Sequence, residues 1–191
     1  MSHFDANSYR PVFAPLLEID RRRPLDAGTP DAAARAKLEA LTPDTAFAHA
    51  RVVDRDMAAC CVAGVWLLHD YLAESHAISQ HVATPSGILW HAIMHRREGD
   101  YSNAKYWLGQ AGRHPVFDAI GQRAAELAAE RGAEKVVKKL IQEGTWDACA
   151  FVDLCEDAVR GESDATDLCR DIQQAEWALL FDSCYRAAVV E

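Results

Sequence analysis

Residues 84–115 read TPSGILWHAIMHRREGDYSNAKYWLGQAGRHP, and this stretch decides the fold that the sequence predicts. Apolar residues recur at helical spacing before and after Gly99, which predicts one helix over 88–98 and a second over 101–111. Gly99 is expected to end the first helix, because glycine is common just past a helix C-terminus. The two helices should therefore fold back on each other as a hairpin.

Similar start and stop signals divide the rest of the chain into helices. The tripeptide Thr-Pro-Asp at 29–31 and again at 42–44 predicts a helix N-terminus, since it combines a capping residue with proline at the first helical position. Further helices are predicted over 57–82, 116–131, 133–143, 146–160 and 164–189. No window alternates apolar and polar residues for long, so we predict an all-α fold with essentially no sheet.

The distribution of proline predicts how the chain is organised. Residues 1–30 hold four of the seven prolines, which favours an extended N-terminal arm packed over the rest of the molecule. Residues 31–191 are expected to form a single all-helical domain of antiparallel hairpins, either a regular array or an irregular bundle. Half of all residues are apolar, enough for a core without disulfides or metal.

One hairpin resembles a known repeat. Segment 88–115 is similar to a tetratricopeptide (TPR) repeat, a helix–turn–helix unit of about 34 residues. The likeness is carried by Gly99-Asp100-Tyr101 as the turn, Ala104 as the small residue between helices, and Leu108 and Ala111 as packing residues. Pro115 comes one residue early, and His91 and His95 stand where the family prefers leucine and tyrosine. The resemblance implies a TPR-like array whose concave face binds a peptide or small ligand.

A second resemblance adds no mechanism. Stretches 69–80, 90–117 and 151–185 are similar to a bacterial helical family to which no function is attached.

Charge and hydropathy exclude several classes of partner. With 29 acidic against 20 basic residues, the formal net charge of −9 repels polyphosphates and anionic lipids, so no nucleic acid and no membrane partner is expected. The longest apolar stretch, 57–68, is shorter than the roughly 20 residues of a membrane span. No basic stretch followed by an apolar run occurs near the N-terminus, so we expect a cytoplasmic protein. Apolar residues on the last helix are compatible with a homodimer.

Histidines are concentrated on two consecutive predicted helices. Five of the eight fall within 27 residues: His69, His76, His81, His91 and His95. At about 100° per residue, His69 and His76 lie within the apolar stripe of helix 57–82 and should be buried. Asp70, Glu74 and His81 project to the edge of that stripe and should reach solvent or a cleft. On the next helix, His91, His95 and Glu98 share one face.

Three interpretations of this cluster stay open, because buried polar groups must find partners. The histidines could form a hydrogen-bonded core network with backbone and water. They could instead hold a divalent metal, with His69, His76, His91 and His95 as candidate ligands beside Glu74 or Glu98, since imidazoles four residues apart on a helix can share one ion. The third interpretation is acid–base catalysis without metal.

Aromatic and basic residues around the cluster suggest a ligand pocket. The candidate ligand-binding residues are Trp90, Tyr101, Lys105, Arg113 and His114. The alternative places the aromatic residues in the core and the basic residues, including Arg96 and Arg97, on a solvated face.

Two hypotheses about function follow from these patterns. The leading one is a non-catalytic ligand- or peptide-binding or scaffolding module of the TPR type, which needs no cofactor. The other is a metal-dependent enzyme of the hydrolase type, with the four candidate histidines as ligands of Zn, Fe or Mn and Glu74 or Glu98 as the general base.

Overall fold

Helices account for most of the chain in the computed structural model, which describes residues 4–9, 11–142 and 144–190. The α-helices of the described residues are α1 (Ala14–Leu17), α2 (Arg35–Glu39), α3 (Pro43–Ala46), α4 (Arg55–Leu68), α5 (Leu72–Ser79), α6 (Pro85–Glu98), α7 (Tyr101–Ala111), α8 (Val116–Arg131), α9 (Glu134–Val137), α10 (Ala148–Arg160) and α11 (Thr166–Ala188). Two 3-10 helices span Ala6–Tyr9 and Lys138–Leu140. The predicted all-α fold class is confirmed.

A short hairpin of two strands departs from the prediction of essentially no sheet. Strands β1 (Ile141–Gln142) and β2 (Thr145–Trp146) pair antiparallel, with Ile141 opposite Trp146. Gly144 between them has φ +80°, a turn conformation that a continuous helix cannot include. The predicted helix over 133–143 is therefore wrong at residues 141 and 142, residue 143 lies outside the described residues, and the helix predicted from 146 begins at 148.

The predicted long helix over 57–82 is wrong, because it is broken between α4 and α5. Asp70 adopts φ +62°, a left-handed conformation that ends α4 and redirects the chain. Its side chain is fully buried, accepts a hydrogen bond of 2.6 Å from Arg97 Nη2 and is also ion-paired with Arg23. The expectation that Asp70 would reach solvent is wrong for the same reason, since two guanidinium groups hold this carboxylate inside the molecule.

Helices α4 and α6 lie at the centre of the fold. Helix α4 packs against α5, α6 and α11, and α6 also packs against α5 and α7. The ring of Trp90 on α6 is fully buried and lies so close to Gly64 on α4 that a Cβ there would stand 2.8 Å from it. Trp177 of α11 donates a hydrogen bond of 2.8 Å from Nε1 to the Gly64 carbonyl. Glycine at this position thus lets three helices approach one another.

The segment before α2 packs along α11 and over the turn that follows α4. Arg22 pairs with Asp171 at 2.5 Å and with Asp167 at 2.6 Å, both on α11. The Asp26 carbonyl accepts a hydrogen bond of 2.8 Å from Arg97 Nε. This part of the chain includes α1 and a 3-10 helix as well as extended backbone. It is tied to the helices by charge as well as by apolar contact.

Capping residues fix the boundaries of the two helices in the α6–α7 hairpin. Thr84 Oγ1 accepts a hydrogen bond of 3.2 Å from Gly87 N, so α6 starts at Pro85 and not at the predicted residue 88. Gly99 ends α6 with φ +86°, and Asp100 Oδ1 caps α7 by accepting from Asn103 N at 3.1 Å. The predicted boundaries of the second helix, 101 and 111, are confirmed.

None of the helices in the described part of the chain is both long enough and apolar enough to cross a membrane.

Candidate metal centre

Three histidines from two helices meet beside the α6–α7 hairpin. His76 lies on α5, and His91 and His95 lie one turn apart on α6. The ring centroids are 4.8 Å apart for His76 and His91, 5.4 Å for His76 and His95, and 4.5 Å for His91 and His95. One ring nitrogen from each residue lies within 4.8 Å of those of the other two. We call His76, His91 and His95 the histidine cluster.

Burial differs across the histidine cluster. His91 and His95 are 4% and 5% exposed, whereas His76 is only half-buried, against the expectation that it would be buried. The ring of His91 stacks on Trp107 of α7, with centroids 4.6 Å apart and planes 23° apart. The cluster is therefore closed on the α7 side, with its most exposed imidazole on α5.

His91 has the least satisfied ring. Its Nε2 is shielded from solvent and has no hydrogen-bond partner among the described residues. Burial, together with the neighbouring His95 and His76, lowers the pKa of His91 to about 4. The ring is therefore neutral near pH 7, the state in which an imidazole binds metal. A buried nitrogen without a partner costs about 1–3 kcal/mol, which a bound ion would offset.

His95 is held by two polar side chains. Its Nδ1 lies 2.6 Å from Glu98 Oε1, and its Nε2 lies 3.1 Å from Asn103 Nδ2. Because an ionised carboxylate only accepts hydrogen bonds, Nδ1 carries the proton and Nε2 keeps a lone pair. Asp100 adds a further carboxylate, with one oxygen within 4.8 Å of ligand atoms of His95 and Glu98.

The structure does not bring His69 into the cluster with the other three candidate ligands. His69 is buried as expected, but Nδ1 lies 3.1 Å from Asp31 Oδ2 and Nε2 lies 2.9 Å from the Leu16 carbonyl. Both ring nitrogens are thus engaged on the other side of the break at Asp70. The predicted set of four histidines becomes a set of three.

The two candidate bases lie in different surroundings. Glu74 pairs with Arg35 Nη1 at 2.5 Å, so its carboxylate is engaged away from the cluster. Glu98 instead contacts a ring of the cluster directly. Of the two, only Glu98 is placed to act on it.

The five candidate ligand-binding residues do not share one accessible surface. Trp90 is fully buried, and His114 is 4% exposed with Nε2 2.9 Å from Ser86 Oγ. Lys105 pairs with Asp153 at 2.5 Å. Arg113 is exposed beside Asp118. Tyr101 is half-buried. Two of the five therefore belong to the interior, where a ligand would have to displace core contacts.

Two arginines expected on a solvated face are buried instead. Arg96 is 2% exposed and forms a two-pronged pair with Glu176 of α11, with Nη2 2.5 Å from Oε2. Arg97 is 3% exposed and bonds Asp70. Their partners lie 80 and 27 residues away in the chain, beyond the reach of a local pattern.

Two residues of α7 contact the cluster: Asn103, which sequence analysis missed, and Trp107, which it counted among the aromatic residues around the cluster. They lie one turn apart on α7 and face His95 and His91, which lie one turn apart on α6. The signal is the turn at Gly99, because 95 and 103, like 91 and 107, are equally far from it. In an antiparallel hairpin such residues come to the same level.

The histidine cluster fits a divalent transition metal. Three imidazoles suit zinc, iron or copper better than magnesium or calcium, which prefer oxygen ligands. Zinc–nitrogen bonds of about 2.0–2.1 Å require nitrogens roughly 3.3 Å apart. Ligand atoms that all lie within 4.8 Å of one another need only small side-chain rotations to reach that spacing.

Comparisons with models of known protein families, with curated proteins and with solved structures find no match to this chain.

Proposed function

We propose that the chain binds one divalent transition-metal ion through His76, His91 and His95 and uses it as a metal-dependent enzyme of the hydrolase type. The observation that carries the proposal is the buried His91 Nε2, which lacks a partner within a group of three imidazoles. A fully satisfied core network would pair this nitrogen, whereas a metal ion would use its lone pair.

The ligand set supports catalysis more than a structural role. Structural zinc sites are usually closed by four protein ligands, whereas three protein ligands leave a position for water or substrate. Neutral imidazoles leave the double charge of the ion uncompensated, so the ion would supply Lewis acidity. The half-buried His76 marks the side from which a substrate would approach.

Metal binding to untagged, chelator-treated protein tests the proposal. We expect one Zn²⁺ or Co²⁺ per chain by isothermal titration calorimetry, and at least tenfold weaker binding by His91→Asn and by His95→Asn. His81→Asn is the matched control, because His81 is an exposed histidine outside the cluster. Circular dichroism of each variant separates lost binding from lost fold. Absence of binding by the natural chain, or equal affinity in His91→Asn, would overturn the proposal.

The α6–α7 hairpin supports a second candidate function, the non-catalytic TPR-type binding or scaffolding module. Its support is the antiparallel pair of helices around Gly99. On this alternative the histidines are part of the architecture. Replacing His91 or His95 would then lower the free energy of unfolding, and neither the natural chain nor the variant would bind metal.

A further inference from the structure

Glu98 contacts the Nδ1 nitrogen of His95, with Oε1 at 2.6 Å, and leaves the second ring nitrogen, Nε2, to other partners. We propose that Glu98 is a positioning residue, whose carboxylate holds the His95 Nδ1 proton and thereby presents Nε2 to the metal. This inference rests on the proposed metal centre. It gives Glu98 a role through His95, in place of the direct role of general base predicted from the sequence.

The geometry of the contact fixes the tautomer. The Nδ1–Oε1 distance of 2.6 Å is short for a nitrogen–oxygen hydrogen bond, as expected when the acceptor is charged. The side chain of His95 is 7% exposed and its ring stacks on His91 with planes 26° apart, so it has little freedom to turn over. With Nδ1 as the donor, the free lone pair of this ring lies on Nε2.

The backbone supports the same arrangement. Glu98 is the last residue of α6, three residues after His95 and therefore on the same face of the helix. Gly99 then turns the chain away in the left-handed conformation, and the Glu98 side chain stays 41% exposed. The carboxylate can thus stay in contact with water while one oxygen binds the buried ring.

Asn103 makes the contribution of Glu98 measurable. Its Nδ2 lies 3.1 Å from His95 Nε2 and 3.4 Å from Nδ1, so the amide can donate to whichever nitrogen lacks a proton. With Glu98 present, that nitrogen is Nε2, and the metal must displace a single hydrogen bond from Asn103. Without Glu98, nothing holds the proton on Nδ1, and the tautomer with the proton on Nε2 becomes populated. That tautomer cannot bind metal through Nε2, because its Nε2 has no free lone pair.

The expected effect is on affinity and on the ring itself. Carboxylates that bond metal-ligating histidines raise ligand basicity and fix ring orientation, and their loss typically costs 10- to 100-fold in affinity. We expect Glu98→Ala to weaken Co²⁺ and Zn²⁺ binding by that factor. Glu98→Gln should fall between Glu98→Ala and the natural chain, because the amide oxygen still accepts from Nδ1 but carries no charge.

Two measurements on the full chain test the inference. Calorimetric titration with Co²⁺ and Zn²⁺ gives the affinities, and nitrogen-15 NMR of the metal-free protein gives the tautomer of His95. We expect the proton on Nδ1 in the natural chain and a shift toward Nε2 in Glu98→Ala. Glu126→Gln is the matched control, because Glu126 also bonds a residue three positions away on its own helix and is 40% exposed. It should change neither quantity.

The outcomes separate this inference from the proposed function. If the natural chain binds neither ion, the proposed function fails and this inference fails with it. If the natural chain binds metal and Glu98→Ala binds equally well, only the inference is overturned. Weaker binding with an unchanged His95 tautomer would also overturn it, because Glu98 would then not act by holding the proton on Nδ1.

Discussion

Asp70 shows how one side chain can decide the path of the chain. Its left-handed backbone ends α4, and its buried carboxylate binds Arg97 and Arg23, which come from different parts of the sequence. Breaking a buried ion pair by removing one partner leaves the other charge uncompensated. The turn between α4 and α5 therefore depends on a charge that no helical pattern could have located.

Replacing that carboxylate by an amide should be strongly destabilising. Asparagine tolerates the left-handed conformation, so Asp70→Asn removes the charge and keeps the backbone. We expect a loss of about 3–5 kcal/mol in the free energy of unfolding, measured by urea denaturation. Asp44→Asn is the control, because Asp44 pairs with Arg55 at the exposed surface, where water and salt screen the pair and its loss costs little. Equal losses in the two variants would contradict this account of the turn.

The α6–α7 hairpin is the element on which the site is built. Gly99 sets the turn with φ +86°, and a Cβ added there would meet nothing within 4 Å. Any cost of a side chain at Gly99 is therefore a cost of backbone conformation and not of packing. Gly109 lies exposed in the last turn of α7 and also has open space around its Cα, but it has an ordinary helical conformation.

Two alanine substitutions in this hairpin should change the free energy of unfolding in opposite directions. Gly99→Ala should lower the free energy of unfolding by about 1–2 kcal/mol, because alanine resists positive φ. Gly109→Ala should raise it by roughly 0.5–1 kcal/mol, because alanine is the better helix former. Thermal denaturation followed by circular dichroism compares the two. A shift of both midpoints in the same direction would contradict the assigned role of Gly99.

Local signals account for the elements that were predicted correctly. The ends of α7 follow from Gly99, Asp100 and Gly112, and α8 runs from 116 to 131 as predicted between Pro115 and Gly132. The pairing of His91 with His95 follows from helical spacing alone. These features depend on residues within one or two turns of each other, which is the range over which sequence patterns carry information.

Features that depend on distant partners were not predictable from the sequence. His69 is drawn away from the cluster by Asp31, 38 residues earlier, and the burial of Arg96 requires Glu176, 80 residues later. The meeting of His76 with His91 and His95, by contrast, was expected from helical spacing on two antiparallel helices, and the structure places the His76 ring centroid 4.8 Å and 5.4 Å from theirs.

At the scale of the whole molecule, His114 joins two parts of the bundle. Its Nδ1 accepts a hydrogen bond of 3.1 Å from Val116 N at the start of α8, and its Nε2 lies 2.9 Å from Ser86 Oγ at the start of α6. Burial lowers the pKa of His114. Protonation would add a charge inside the molecule and remove the lone pair that Val116 uses.

The stability of the metal-free protein should therefore fall in acid. A histidine whose pKa is lowered by folding resists protonation in the native state, while the unfolded chain takes up a proton near pH 6.5. Its contribution to stability is complete above that pH and is lost as the pH falls below it. We expect urea denaturation between pH 7.5 and 5 to give a shallower pH dependence for His114→Gln than for the natural chain. His81→Gln, at an exposed position, should keep the natural dependence.

The contacts of the N-terminal segment also affect the histidine cluster, which the segment itself is not part of. Arg23 binds Asp70 and Asp31 binds His69. Two residues of this segment therefore hold the turn between α4 and α5 in place. The turn fixes the direction of α5 and with it the position of His76. Deleting the N-terminal segment would thus change the spacing of the three imidazoles, although all three histidines would still be present.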